Sequence, residues 1–194
     1  MHRDRDGPTQ LEHIARQLDE ADARLKRLAA PCSDGAWTAR PRRGGWSPSE
    51  CVQHLVLSVE ALLPRIDTAL RDGRDRRVLG AGPFAAGLLG RLLLWAIEPP
   101  CRIRTNAGAA FVPAAPRSPS RDGAAVLAAH AAVRVRLVTG RGLALDRLMI
   151  VSPFAARVRY NVFVALALVP THARRHLWQA ERARDATAST LDVP

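Results

Sequence analysis

The chain of 194 residues is short of cysteine, of lysine and of aromatic side chains, and each shortage narrows what it can be. Its three cysteines, Cys32, Cys51 and Cys101, are odd in number and never stand as a CxxC pair. That argues against a disulfide framework and against a cysteine-built zinc knuckle, and it points to a reducing, cytoplasmic setting. The N-terminal MHRDRDGPTQ contains no apolar h-region, so no secretory signal is expected. The apolar stretch from Phe84 to Ile97 is interrupted by Arg91 and is too short to span a bilayer, so no membrane segment is assigned. Lys26 is the only lysine, which leaves a net charge of +11 carried almost wholly by arginine in an alanine-rich chain. This composition resembles a GC-rich coding bias. The arginines are scattered through 40–43, 71–77, 134–136 and 174–184 and read as solvated faces and loops, so a nucleic-acid partner is not expected.

What the chain has in quantity is helix signal, and its length fits a single domain with a core of its own over residues 1–194. Thr9 and Glu12 form a capping box ahead of Leu11, Ile14, Leu18, Leu25 and Leu28, which predicts a first helix over about 9–30. Ser47, Pro48 and Glu50 supply an N-cap, a first-position proline and a third-position carboxylate, so a second helix runs over about 48–71, bent near Pro64. A charged loop, a short apolar helix at Phe84–Ile97 and a proline-broken stretch fill a crossover over about 72–120. A third helix is expected over about 121–138 with Gly140 as its stop, and a fourth over about 158–185. The fold class read from this pattern is all-α: a four-helix bundle with a long crossover between helices 2 and 3.

Three histidines carry the chemistry. His172 and His176 are four residues apart and project from one helix face, so they can grip one ion together, with His54 arriving from a neighbouring helix. Three imidazoles leave a coordination position open for water or substrate, the arrangement of catalytic rather than structural zinc sites. Glu50, one turn before His54, is a candidate to orient its second ring nitrogen, although its capping role already accounts for it. Gln179, three residues after His176, is the other candidate for orienting a ligand. Pro170, two residues before His172, predicts a kink that tilts that ring. His2, His13 and His130 are held as structural or solvent-facing, with His130 the one reserve ligand, and Cys51 as a buried thiol. Arg175 is expected to pair with a carboxylate across the bundle, and Trp46 and Trp178 to pack.

GGWSPSECVQHLV at Gly44–Val56 and THARRHLWQAERAR at Thr171–Arg184 together resemble the DinB/YfiT-like superfamily, in which W-S-x-x-E-x-x-x-H on helix 2 is joined by H-x-x-R-H-x-x-Q on helix 4. The likeness extends to IEPPCRIRTNAGAAFVP and LMIVSPF and so covers most of the chain. Ser152–Phe154 stands where relatives carry a His-Pro pairing. The resemblance implies a divalent ion, zinc or nickel, held at the positions of His54, His172 and His176. It also implies a small-molecule substrate, with thiol transferases using low-molecular-weight thiols and metal-dependent hydrolases as the activity classes. Three function classes follow: a metal-dependent enzyme, a non-catalytic bundle that keeps the metal for stability, and an arginine-rich nucleic-acid binder. The exposed leucines expected at Leu88, Leu89, Leu92 and Leu93 suit either a wall for the metal cavity or a homodimer interface.

Overall fold

In the computed structural model, which describes residues 9–100 and 107–188, the first helix begins where its cap predicts. Helix α1 (Gln10–Ala29) is closed by the reciprocal box: Glu12 N–H donates to Thr9 Oγ1 at 3.3 Å, and Thr9 N–H donates to the Glu12 carboxylate at 2.8 Å. A short helix α2 (Asp34–Thr38), capped by Ser33, buries Trp37 completely. Helix α3 (Pro48–Asp75) starts at the Ser47/Glu50 box and runs four residues beyond the expected 71. Helix α4 is Gly87–Ile97, and a single 3-10 turn at Ala109–Phe111 follows in the crossover. Helix α5 (Pro119–Thr139) begins two residues earlier than expected, because Ser118 caps it and Pro119 occupies its first turn rather than breaking it. Gly140 closes it, as the sequence indicates.

The expected start of the last helix at 158 is corrected. Strands β1 (Met149–Val151) and β2 (Arg159–Asn161) pair antiparallel with Ile150 opposite Tyr160, and α6 (Val162–Ala188) begins only after them. Asn161 Oδ1 accepts the Val164 N–H at 2.9 Å and so caps the helix. Helix α6 remains continuous through Pro170. Cys101 and His2 lie outside the described residues.

Helix α3 packs against α5 and α6, and α1 packs against the same two, so the four long helices stand in a square with α1 diagonal to α3. This is an all-α four-helix bundle with a crossover between its second and third helices. One part of the core joins Leu18, Ile66, Val133 and Leu166 at mid-bundle, and a second joins Leu25, Trp37, Val52 and Leu177 nearer the start of α3. Each fully buried aliphatic side chain of this kind contributes about 1.5–3 kcal/mol. Between the parts the seams are tied by polar contacts. His130 Nδ1 and Arg134 both meet Asp22, locking α5 to α1, and Arg136 meets Asp67 on α3. Trp37 Nε1–H donates at 2.9 Å and Ser49 Oγ–H at 2.6 Å to the same oxygen of the buried Asp122. Among the described residues no helix is long and apolar enough to cross a membrane.

Helix α4 lies on α6 through a close approach at Gly90, where an added Cβ would stand 2.4 Å from Val164 Cγ2. Glu98, just past its end, takes a bidentate pair of bonds from Arg174, both at 2.7 Å. Docked this way, α4 buries Leu93 and Leu94 in part and leaves Leu88, Leu89, Leu92 and Trp95 facing outward.

Candidate metal centre

The cap of α3 sets the site. With Ser47 and Glu50 fixing the first turn, His54 falls one turn later on the inner side of α3, facing α6, which presents His172 and His176 from consecutive turns. The ring centroids lie 4.5 Å apart for His54–His176, 5.1 Å for His54–His172 and 4.4 Å for His172–His176. One nitrogen from each ring lies within 4.8 Å of the others, a group that can hold a metal ion. Small rotations of the rings bring such a span to bonds of about 2 Å on a single ion. His54 and His176 are buried and His172 is half-buried. The kink expected to carry His172 away does not separate it from the other two.

The hydrogen bonds select the tautomer. His54 Nδ1 lies 2.8 Å from the Phe111 carbonyl, which can only accept, so Nδ1 carries the proton and Nε2 keeps its lone pair. His176 Nδ1 is buried with no hydrogen-bond partner, an uncompensated polar atom among three rings. Electrostatics agree with this geometry. Burial lowers the pKa of His54 against the opposing pull of the Phe111 carbonyl. Burial, followed by the neighbouring His54 and the Arg175 guanidinium, pushes His172 down to about 3. Burial and then His172, His54 and Arg175 hold His176 well below its ordinary value. All three imidazoles are therefore neutral at neutral pH, the form that binds a cation. A set of neutral imidazoles with one buried nitrogen unsatisfied fits a divalent metal ion.

Several residues missed or misread from sequence complete the surroundings. Glu50 does not orient His54: its carboxylate accepts the Ser47 N–H at 2.9 Å and is clamped by the Arg40 guanidinium, while the Phe111 carbonyl takes the place expected of it. Gln179 is half-buried one turn beyond His176, and among the described residues no hydrogen bond joins it to the cluster histidines. His130 is structural, as expected, engaged with Asp22 on the α1–α5 seam and not held in reserve for the ion. Cys51 stays out of the cluster, and burial pushes its thiol up to about 12, which leaves it inert. Arg175 donates to the Ala96 carbonyl at 3.3 Å, and the crossover carboxylate Glu98 goes to Arg174. Trp178 packs under the Arg182 guanidinium, whereas Trp46 does more than pack. Gly44 and Gly45, with φ of 83° and 109°, make a turn open to glycine alone at low cost, and the turn delivers the Trp46 ring to 4.9 Å from His54 and 6.0 Å from His176.

Residues 17–180 match the family model of the DinB superfamily. The chain belongs to the DinB superfamily. The matched span runs from α1 to Ala180 in α6 and includes His54, His172 and His176 as well as the crossover that supplies Phe111. No curated protein and no solved structure gives a match. Within this superfamily member, the histidine cluster is the one group of three or more metal-ligating side chains found among the described residues.

Proposed function

We propose that this DinB-superfamily chain is a metal-dependent enzyme in which His54, His172 and His176 hold a divalent ion, zinc or nickel, and act on a small-molecule substrate. A low-molecular-weight thiol is the first candidate co-substrate, with S-transfer or hydrolysis as the reaction class. The observation that carries this reading is the convergence of three imidazoles, one nitrogen of each within 4.8 Å of the others, with His176 Nδ1 buried and lacking a hydrogen-bond partner among the described residues. A divalent ion held there would lower the pKa of a bound thiol or water, or polarise an electrophile. The chain's own residues do the rest. The Phe111 carbonyl holds the proton of His54 on Nδ1 and leaves the lone pair on Nε2, where the Ser58 hydroxyl stands 3.5 Å away. Trp46 covers His54 and His176 and excludes water from that side. Arg175, whose charge is felt at His172 and His176, favours an anionic group on the substrate beside them.

Metal analysis of protein purified without a histidine tag tests the reading directly. Wild type is expected to carry close to one divalent ion per chain and His176→Ala almost none, with helicity by circular dichroism nearly unchanged. Equal metal content in the two proteins would remove His176 as a ligand. A thiol-conjugation screen with and without chelator then tests the activity: loss on chelation with the fold intact supports the enzyme, whereas unfolding on chelation supports a metal kept for stability.

We place the chain in the cytoplasm, as its odd number of cysteines without a CxxC pair suggests, and infer a homodimer formed through α4. Leu88, Leu89, Leu92 and Trp95 are 45–80% exposed on that helix, a patch of the kind that a second copy covers. Replacing Leu88 and Leu92 by aspartate should give a monomer by light scattering with metal content retained. An unchanged mass would refute the interface. Arg24, Arg40, Arg134, Arg136, Arg174 and Arg184 are each paired with a carboxylate of the same chain, and in this reading they serve the fold and not a nucleic-acid face.

A further inference from the structure

The chain has four phenylalanines, four tryptophans and one tyrosine; two of these nine rings, Trp46 and Phe111, meet the histidine cluster, and a third, Phe154, packs on Phe111. They come from three separate loops. Trp46 leads into α3, Phe111 sits in the 3-10 turn of the crossover, and Phe154 lies in the connection between β1 and β2. Phe111 stands edge-on to His54, with centroids 6.5 Å apart and planes at 81°. Phe154 lies 4.9 Å from Phe111 and is 44% exposed. Ring contacts thus run in sequence from the buried His54 through Phe111 to the exposed Phe154.

Neither phenylalanine belongs to the bundle core or packs against it. Their apolar area is thus not spent on holding the helices together, yet both are fixed in place. Phe111 is held through its carbonyl on His54, and Phe154 through its N–H on Ser152 Oγ at 3.2 Å. A half-exposed ring pair, positioned by polar contacts and abutting a metal-ligating group, is what a site needs in order to recognise a planar apolar substituent.

We propose that Phe111 and Phe154 form an apolar subsite next to the histidine cluster, selecting small molecules that carry an aromatic ring close to their metal-binding atoms. The proposal rests on the metal-site reading given above. It adds the chemical class of the substrate: a ring-bearing ligand whose polar end reaches His54, His172 and His176 while its ring packs on Phe111 and Phe154.

The test uses the full chain loaded with cobalt(II), titrated with acetohydroxamate and with benzohydroxamate and followed by the cobalt absorption bands. The two probes share their metal-binding atoms and differ in a methyl against a phenyl group. Wild type should prefer benzohydroxamate, and Phe154→Ala should cut that preference by about threefold to tenfold, the scale of one aromatic contact, while acetohydroxamate affinity stays the same. Phe154→Leu, which keeps apolar bulk and protects against a folding defect, should lose most of the same preference. Cobalt and acetohydroxamate binding with an unchanged ratio in both variants overturns the subsite and leaves the metal site standing. Failure of wild type to bind cobalt at all overturns the metal site and the subsite together.

Discussion

Acidifying the metal-free protein from about pH 7 to 5 should destabilise it through the histidine cluster, and the size of the effect follows from His172. Burial, then His54 and Arg175, lower that ring from 6.5 to about 3 in the folded chain. Unfolded, it takes up a proton as the pH falls through about 6.5; folded, it refuses one until about 3. The unfolded state therefore binds more protons across this window, and stability is present above it and lost as the pH falls. At pH 5 the unfolded imidazole is about 1.5 pH units below its midpoint, which at 1.36 kcal/mol per unit costs about 2 kcal/mol for His172 alone. His176 and His54, shifted in the same direction, add to the loss. Carboxylates elsewhere also titrate, so the measurement is a double difference: urea unfolding of chelator-treated wild type and His172→Gln at both pH values. Wild type should lose at least about 2 kcal/mol more than the variant between them. Equal losses in the two proteins would mean that His172 is not held neutral by its surroundings, and the electrostatic account of the cluster would fall with it.

Three further outcomes follow from the packing. Gly90→Ala places a methyl 2.4 Å from Val164 Cγ2 and should cost about 1–3 kcal/mol in thermal or urea melts, with amide exchange speeding in α4 before the rest of the bundle. Trp37→Phe removes the Nε1–H bond to Asp122, whose other oxygen has no partner, and should cost about 1–3 kcal/mol; a loss within error of zero would show that Ser49 alone satisfies the carboxylate. Ser47→Ala should cost about 1 kcal/mol by urea unfolding, since it opens the box that starts α3; a destabilisation several times larger would mean that Ser47 has a role beyond the cap.

The elements readable from sequence are those whose signals are local and redundant. Ser47, Pro48 and Glu50 agree on one helix start, and the four-residue spacing of His172 and His176 fixes their common face in any α-helix, so the bundle and its three-histidine group could be read before any coordinates. The misreadings have physical causes. Pro119 is a breaker inside a helix and a starter at its first turn, and only the Ser118 cap tells the two apart. Strands of three residues, Met149–Val151 and Arg159–Asn161, are too short for an alternation to register. The last turns of α3 are charged and solvated, so no apolar stripe marks their continuation to Asp75. The partner of His54 was out of reach because it is a backbone carbonyl, which every residue possesses and which leaves no trace in side-chain identity.

That carbonyl ties the competence of the site to the order in which the chain folds. Phe111 is 57 residues from His54, and the two α6 histidines are more than twice as far along the chain, so none of these contacts can form from local structure. Helices α3 and α6 can each form early, but until the crossover closes and seats residues 109–111, the proton of His54 is free to move between its two nitrogens. The chain thus gains a directed His54 lone pair only with a long-range contact. A partly folded bundle, helical and compact yet without its crossover in place, would present imidazoles of mixed tautomer and hold an ion weakly. If the three histidines hold an ion as proposed, tight loading becomes a mark of the finished fold.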